Sequence, residues 1–465
     1  MAESNQNSGE RTQQQQPAAG GGRRTFQAPT GTRDFYPAEL NRLRYIQKAW
    51  RETSIRHGFE EIDGPTFEHL ELYTVKSGEG IVSELFSFER FGGEKTYALR
   101  PEFTPTLARM YAARANALPK PTKWFWMQNC FRAERPQRGR LREFYQWNVD
   151  LIGDDSVEAD AEVIACCIGA LECLGLSPND VTVHISDRTL VSALLTECGV
   201  HGDQTSALML LDRRAKLPAE EVSRQAAAMR FDIARFDERM RLVMSAAGES
   251  KVGVLRSIRN EDGSPIFDGS RLRPLGEELH RMGLADWCRF DLSIVRGLAY
   301  YTGVVFEVLA SGERAVAGGG RYDGLIQLFG GPPTPAVGFG MGDVVLSLVL
   351  QDKRLMPSDE EIADRLGLRP DVFVIGRGSE AADAAVAPLV ARLRREGLHA
   401  RRSYKATKNV GKLLKEAAAC GARVVAFVEA DGMSVTLERL EDGAKQSVAG
   451  LEGVAGAVRG LIAEA

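Results

Sequence analysis

The sequence lacks long apolar segments, paired cysteine motifs and a strong excess of either charge. Its 465 residues contain no run near the ~18 apolar residues of a membrane span, and the N-terminus has no charged-then-apolar secretory pattern. The seven cysteines form no CxxC pair and the six histidines form no HxxH or HxxxH pair, which argues for reduced thiols and against a zinc site. We therefore expect a cytoplasmic protein that enters no membrane and has no metal site of its own.

The charge and size of the chain leave several functions open. A formal net charge of −4 gives no overall attraction for nucleic acid, so any contact with RNA must come from local basic patches. With 44% hydrophobic and 26% charged residues, the composition is ordinary for a globular protein of about two to four domains.

The pattern of apolar and polar residues changes along the chain. It predicts an α+β core that is interrupted by helices and followed by a separate domain. The predicted segments are a disordered low-complexity tail (1–25), the first part of the core (26–188), a helical insertion (189–285), the second part of the core (286–352), a linker (353–370) and an α/β domain (371–465).

Apolar spacing and turn residues predict the elements of the core. A helix is expected at about 38–57, and two antiparallel strands at 124–131 and 144–152. Further strands are expected at 182–185, 290–294 and 304–309. The glycine-rich segment 317–325 reads as a turn that allows close backbone approach to a ligand.

The segment between the two antiparallel strands is rich in arginine, including Arg132, Arg138, Arg140 and Arg142. Arginines fixed at such a hairpin can form bidentate hydrogen bonds to phosphate or carboxylate. A solvated charged hairpin is the alternative for a basic loop considered by itself.

Four blocks in order decide between these interpretations. They are LRPEFTPTLAR, FRAERPQRGRLREFYQ, VRGLAYYTGVVFE and AGGGRYDGL. With them the chain resembles the histidyl-tRNA synthetases, a family of class II aminoacyl-tRNA synthetases, over about residues 26–460. The resemblance implies a six- or seven-stranded antiparallel sheet flanked by helices, a homodimer interface near Pro65 and a C-terminal anticodon-binding domain from Asp371.

The resemblance also implies the reaction: histidine and ATP, with Mg²⁺ and no tightly bound cofactor, give histidyl-adenylate, and histidine tRNA then accepts the histidyl group. Attack of a carboxylate on the α-phosphate brings two anions together, so fixed positive charge is needed. The family pattern places Arg132 on the α-phosphate and Arg296 between carboxylate and phosphate as the catalytic pair. A buried ion pair is the alternative role for Arg296.

The same resemblance implies the binding residues. In the histidine site, the α-amino group would be held by Glu102, Thr104 and Gln146. The imidazole ring would be recognised by Asp150 and Tyr301. The remaining residues of this site are Phe103, Arg132, Arg296, Tyr300, Tyr322 and the glycines 318–320. For ATP, the residues are Arg132, Arg140, Phe144 stacking on adenine and Glu134 near its amino group. For tRNA, they are Gln137 and Arg138 in the hairpin loop, and Arg402, Lys405 and Lys408 in the last domain.

Three positions depart from the family pattern. Asp150 stands where many members have the longer glutamate, and Ala299 replaces a common acidic residue. Val345 stands where class II enzymes usually have an arginine over ATP. Either another cation such as Arg140 or Arg321 compensates, or activation of histidine is impaired.

Two other functions remain open at this stage. A synthetase paralogue that acts as a regulatory subunit of ATP phosphoribosyltransferase would keep the histidine pocket. Such proteins generally lack the C-terminal domain and the arginine found here as Arg296, and both are present in this chain. The valine at position 345 is the observation that favours this alternative. An RNA-binding protein with a decayed core would have lost Glu102, Arg132 or Gln146, and all three are present.

Overall fold

The structure, a computed structural model, describes residues 26–77, 79–214, 217–247, 258–259, 265–267, 271–294 and 300–463. The predicted tail 1–25 and the predicted catalytic Arg296 lie outside these residues. Among the described helices, none is long and apolar enough to cross a membrane.

The first part of the chain alternates helices and strands. In order it forms α1 (Pro37–Arg56), β1 (Glu60–Glu61), β2 (Phe67–His69), α2 (Leu70–Ser77), a 3₁₀ helix (Glu79–Glu84), β3 (Ser87–Glu89), β4 (Thr96–Leu99), α3 (Thr104–Ala112), β5 (Thr122–Phe131), β6 (Glu143–Ile152), α4 (Val157–Cys173) and β7 (Val181–Asp187). The first helix and both strands of the basic hairpin agree with the sequence prediction within two residues. Gly58, at φ +74°, follows the C-cap of α1, where only glycine adopts a left-handed turn easily.

Helices dominate the next part, as the sequence predicts. The described elements are α5 (Arg188–Glu197), α6 (Thr205–Arg213), α7 (Ala219–Ala228), α8 (Ile233–Ala247), the short strands β8 (Ile258–Arg259) and β9 (Pro265–Phe267), α9 (Leu272–Arg281), a 3₁₀ turn (Ala285–Trp287) and β10 (Cys288–Phe290). The strand expected at 290–294 is therefore misplaced. The chain pairs with β7 through the preceding residues, with Cys288 opposite Val183.

The remainder completes the core and adds a second sheet. The core elements are β11 (Val304–Ala310), β12 (Ala317–Arg321), α10 (Leu325–Leu328), β13 (Ala336–Gly342), α11 (Asp343–Asp352) and α12 (Asp359–Arg365). The later elements are β14 (Val372–Gly376), α13 (Glu380–Arg395), β15 (Ala400–Arg402), α14 (Val410–Ala419), β16 (Val424–Val428), β17 (Val435–Arg439), β18 (Lys445–Val448) and α15 (Val454–Ala463).

Among the described residues, eight strands form the main sheet in the order β1-β5-β6-β13-β12-β11-β7-β10. The six inner strands are antiparallel, which confirms the predicted core. The edge strands β1 and β10 run parallel to their neighbours, so the complete sheet is mixed.

The two faces of the main sheet carry different residues because side chains alternate along a strand. On β6, Trp147, Val149 and Leu151 enter the large core, where Trp147 stacks on Trp50 of α1 with ring centroids 5.8 Å apart. The intervening polar residues of β6 therefore point to the opposite face, together with the small residues of β13.

The glycine-rich segment 317–325 is a correction to the sequence prediction. Gly318, Gly319 and Gly320 are the middle of β12, inside the sheet, rather than a turn. A Cβ on Gly319 would lie 2.3 Å from the carbonyl oxygen of Gly338 and 2.6 Å from Cβ of Phe339. The glycines are needed because neighbouring strands leave no room for a side chain, and not because the chain reverses there.

The expected linker 353–370 contains an ordered helix, α12. Ser358 and Glu361 form a capping box at its start. The helix packs on α1, where Arg42 donates two hydrogen bonds to the carboxylate of Asp359 at 2.8 and 2.9 Å.

The C-terminal part agrees with the α/β prediction. In the described residues its sheet has the order β15-β14-β16-β17-β18, with apolar cores on both faces.

Candidate active site

A cavity of about 620 Å³ opens on the face of the main sheet opposite α1 and α4. It is bounded by β6, β12, β13, the start of α3, the tip of the β5-β6 hairpin and the segment before β11. The predicted site residues that line it are Glu102, Thr104, Arg132, Arg140, Phe144, Gln146, Asp150, Tyr300, Tyr301, Gly318 and Tyr322. Ligand-binding clefts commonly have this size and this mixture of apolar walls and few polar groups.

Two glycines of β13 make the floor of the cavity. Gly338 lies opposite Asp150 in the register of β6 and β13, and a Cβ on Gly338 would stand 2.1 Å from Oδ1 of Asp150. A Cβ on Gly340 would stand 2.6 Å from Nε2 of Gln146. The bare backbone of β13 thus lets these two polar side chains extend across the sheet surface.

Asp150 is buried, and only one of its two carboxylate oxygens has a hydrogen-bond partner among the described residues. Its Oδ1 accepts a hydrogen bond from the hydroxyl of Tyr322 at 2.5 Å, whereas its Oδ2 is buried and has no partner among the described residues. Burial raises the pKa of the Asp150 carboxyl to about 7; the charge of Glu102 adds to this, and the bond from Tyr322 opposes it. An unpaired buried acceptor is available to a ligand that brings a donor.

The tyrosines form one wall. Tyr300 packs against Tyr301 with ring centroids 4.8 Å apart and edge-on against Tyr322 at 6.0 Å. The hydroxyl of Tyr300 is 3.5 Å from Oε2 of Glu102, at the entrance to α3. This wall joins segments that are about 200 residues apart in sequence, as the motif order predicts.

Arg132 lies at the base of the hairpin. Its Nε donates to the carbonyl oxygen of Pro101 at 3.1 Å, and its guanidinium carbon is 5.1 Å above the centre of the Phe144 ring. The guanidinium is thereby fixed over the cavity, next to an aromatic face.

Several predicted residues have other surroundings. Phe103 is fully buried and stacks on Trp126 at 4.3 Å in the core beside the cavity, instead of lining it. Glu134 forms an ion pair with Arg140. Arg296 lies outside the described residues, so its position in the site is not described.

The hairpin loop is held to the next part of the core. Arg138 donates to Oε1 of Glu313 at 2.6 and 3.0 Å and to Asp352 at 2.9 Å. Gln137 pairs with Arg140 through backbone hydrogen bonds across the tip of the loop.

Val345, at the place of the usual class II arginine, lines the cavity with its apolar side chain. Of the two cations considered as replacements, Arg321 is 1% exposed and hydrogen-bonds Oδ1 of Asp160 at 2.7 and 2.9 Å on the other side of the sheet. Arg321 is therefore a core residue and not a ligand of ATP. Arg140 lines the cavity but is engaged by Glu134.

The three basic residues predicted in the last domain lie on and after β15. The Arg402 guanidinium is 4.9 Å from the ring of Tyr404, which is 79% exposed. Lys405 pairs with Glu416 at 3.1 Å and Lys408 with Asp383 at 3.5 Å.

Pro65 lies just before β2, in an exposed position. The carbonyl oxygens of Gly64 and Pro65 accept hydrogen bonds from Nη1 of the buried Arg100 at 3.1 and 3.2 Å. Arg100 also donates to the carbonyl oxygen of Asn129 on β5, so Pro65 is tied to the hairpin of β5 and β6.

Sequence reasoning missed three polar residues that line the cavity: Asn148, Glu307 and Arg314. Asn148 accepts a 2.6 Å hydrogen bond from Gln146, and strand alternation between Gln146 and Asp150 could have identified it. Glu307 lies on β11 and ends the block VRGLAYYTGVVFE, in which no role was assigned to it. Arg314 follows β11 in a loop without any motif.

Comparisons with known proteins identify the family that this chain resembles. A family model described as Histidyl-tRNA synthetase matches residues 31–342. The chain is 37% identical over 429 residues to a histidine–tRNA ligase of Opitutus terrae, covering 90% of this chain and 94% of that protein. It is also 37% identical over 432 residues to one of Haloarcula marismortui, covering 91% and 95%.

The fold has a solved counterpart. The crystal structure of histidyl-tRNA synthetase from Nostoc sp. PCC 7120 matches with a TM-score of 0.70 at 21% identity, covering 94% of this chain and 100% of that one. At this identity the match bears on the fold alone.

Proposed function

The chain belongs to the histidyl-tRNA synthetase family, and from this membership we propose how its residues carry out the reaction. The protein is a histidine–tRNA ligase: with ATP it converts histidine to histidyl-adenylate and pyrophosphate, and then transfers the histidyl group to tRNA, releasing AMP. We propose the cytoplasm as its location, because charged tRNA is consumed by the ribosomes there.

The proposed mechanism rests on one observation. Separate segments of the chain bring a cation, an aromatic face and a set of polar groups into the same cavity. We propose that Arg132 stabilises the negative charge that builds on the α-phosphate as the histidine carboxylate attacks. Arg296, proposed from the sequence alone, would act between carboxylate and phosphate.

Histidine would be read by two groups of residues. Glu102, Thr104 and Gln146 would bind the α-ammonium group, while Asp150 and Tyr301 would contact the imidazole. The buried, unpaired Oδ2 of Asp150 supports this assignment because an imidazole N–H would satisfy it. A ligand without that donor leaves the acceptor unpaired, which is a strong means of rejection.

ATP would lie over the hairpin side of the cavity. Adenine would stack on Phe144, whose ring lies under the Arg132 guanidinium, with Glu134 near the adenine amino group. Magnesium would enter with the phosphates, since it is usually held by one or two carboxylates and the phosphate oxygens of a nucleotide. The carboxylate of Glu307 lines the cavity and has suitable chemistry to hold it.

Transfer to tRNA needs contacts at both ends of that molecule. We propose that Gln137 and Arg138 meet the acceptor end, and that Arg402, Lys405 and Lys408 contact the anticodon loop. The exposed Tyr404 beside Arg402 offers a face on which a base can stack. Residues 371–465 would then be the anticodon-binding domain.

A homodimer would form through the small sheet β2-β4-β3. Phe67 and Phe88 are 48% and 42% exposed, and their rings cluster with Tyr97 at centroid distances of 5.6 to 5.8 Å. An exposed aromatic face next to Pro65 suits burial against a second copy. Phe88→Asp should convert a dimer to a monomer in analytical ultracentrifugation, whereas Met433→Asp, at an exposed residue of the last domain, should not.

The reaction is tested by histidine-dependent exchange between ATP and pyrophosphate, with charging of histidine tRNA in parallel. Arg132→Ala should lower the exchange rate at least about 100-fold, by analogy with loss of one charge-stabilising donor. Arg296→Ala should do the same, and Arg135→Ala, an exposed change in the same hairpin, should not. Histidine binding without exchange or charging would instead favour the regulatory paralogue, a function that the ligase relatives do not support better.

A further inference from the structure

We propose that Arg314 supplies the ATP-binding cation that class II enzymes usually carry at the position of Val345. The inference rests on the proposed function, because it assumes that ATP occupies the cavity. It concerns a residue in a loop that neither the family motifs nor the resemblance assigns.

The position of Arg314 is defined by Gly139 at the tip of the hairpin. A Cβ on Gly139 would lie 3.3 Å from Cγ2 of Val345 and 3.5 Å from Cδ of Arg314. The two side chains therefore reach the same point of the cavity wall from different elements, Val345 from α11 and Arg314 from the loop after β11. Both line the cavity.

Arg314 is available for a ligand, unlike the other arginines considered for this role. Its side chain is exposed and forms no hydrogen bond or ion pair with any residue that the structure describes. Arg321 is buried against Asp160, and Arg140 is paired with Glu134. A guanidinium on the wall of a nucleotide cavity suits bidentate binding of phosphate oxygens.

The loop that carries Arg314 is anchored to the ATP side of the site. The adjacent Glu313, whose side chain is 12% exposed, accepts both hydrogen bonds of Arg138 in the hairpin loop. This ion pair joins residues 175 positions apart and holds the loop against the hairpin that carries Arg132 and Phe144. Because Glu313 is fixed by this ion pair, the neighbouring Arg314 is held at the wall of the cavity.

The test is a set of variants measured by exchange kinetics and by calorimetric binding of ATP. Arg314→Ala should raise the KM and the Kd for ATP roughly 10- to 100-fold, the usual effect of losing a charge-assisted hydrogen bond, with the KM for histidine within about 2-fold of wild type. Adding Val345→Arg to Arg314→Ala should recover part of the ATP affinity. Arg395→Ala, an exposed change on α13, is the matched control and should leave both constants unchanged.

Two results would overturn the inference. One is an unchanged affinity for ATP in Arg314→Ala. The other is an equal loss of ATP and histidine affinity together with a lower melting temperature, which would indicate a distorted cavity. Absence of exchange in the wild-type protein would contradict the proposed function instead, and calorimetric ATP binding by wild type and Arg314→Ala would still test the role of Arg314.

Discussion

The hydroxyl of Tyr322 donates a 2.5 Å hydrogen bond to Oδ1 of Asp150, and both side chains are buried in the floor of the cavity. This bond joins β6 to the residue that follows β12. It is the one hydrogen bond of the Asp150 carboxyl among the described residues, so the ionised form of Asp150 is poorly compensated. Several properties of the protein follow from this relationship.

Asp150→Asn should change how stability depends on pH. The pKa of Asp150 is raised from 3.8 to about 7 in the folded protein by burial, so between these values the folded chain holds a proton that the unfolded chain has released. The contribution of Asp150 to stability therefore falls as pH rises from about 4 to about 7, by up to about 4 kcal/mol, and stays constant above. Urea unfolding measures this at pH 4.5 and pH 8. The free energy of unfolding of wild type, relative to that of Asp150→Asn, should be lower at pH 8 than at pH 4.5. An equal difference at both pH values would contradict this.

Tyr322→Phe should weaken histidine binding near neutral pH. Without the hydroxyl, neither oxygen of Asp150 has a hydrogen-bond partner among the residues that the structure describes, and the pKa of its carboxyl should rise further. A larger fraction of Asp150 would then be protonated at pH 7.5, and the pH at which histidine affinity is half-maximal should increase. The KM for histidine, measured by exchange from pH 6 to pH 9, reports this, with the KM for ATP as internal control. A proportional loss at every pH would indicate simple damage to the pocket.

The outcome at β12 shows what the sequence can and cannot predict. Strands β5, β6 and β7 were predictable because their apolar residues face a core, and the order of the motifs predicted which polar groups share the cavity. The glycines of β12 lack that pattern, and their role depends on the strands paired beside them. The high glycine content of the segment therefore led to the prediction of a turn.

Other differences have their own physical reasons. The capping box of Ser358 and Glu361 is a readable helix signal in a segment that was otherwise judged by its polar residues and proline. Arg314 has no such signal. Its place in the cavity depends on an ion pair between two loops, Arg138 with Glu313, and a single sequence does not show which distant loops meet.

Gly319→Ala should strongly destabilise the core. The new methyl group would meet the Gly338 carbonyl oxygen and the Phe339 backbone within 2.8 Å, and a sheet interior cannot move these atoms independently. We expect a loss of about 3 kcal/mol in the free energy of unfolding, measured by urea titration. Gly324→Ala is the matched control, because no atom lies within 4 Å of its added methyl group. Equal stability of the two variants would show that β12 is not the tightly packed strand described above.

Arg321→Met separates a structural arginine from one that binds ATP. Arg321 hydrogen-bonds the buried carboxylate of Asp160 and the backbone carbonyls of Asp154 and Ser156. Removing its charge leaves Asp160 with Arg271 as its remaining ion-pair partner in the described structure, so the free energy of unfolding should fall by about 3–5 kcal/mol. Adding Asp160→Asn should recover part of this loss, because it removes the buried carboxylate that has lost one of its two arginine partners. The protein that remains folded should keep the wild-type KM for ATP, which exchange kinetics measure. A stable Arg321→Met protein with a raised KM for ATP would instead restore Arg321 as the replacement for the arginine missing at Val345.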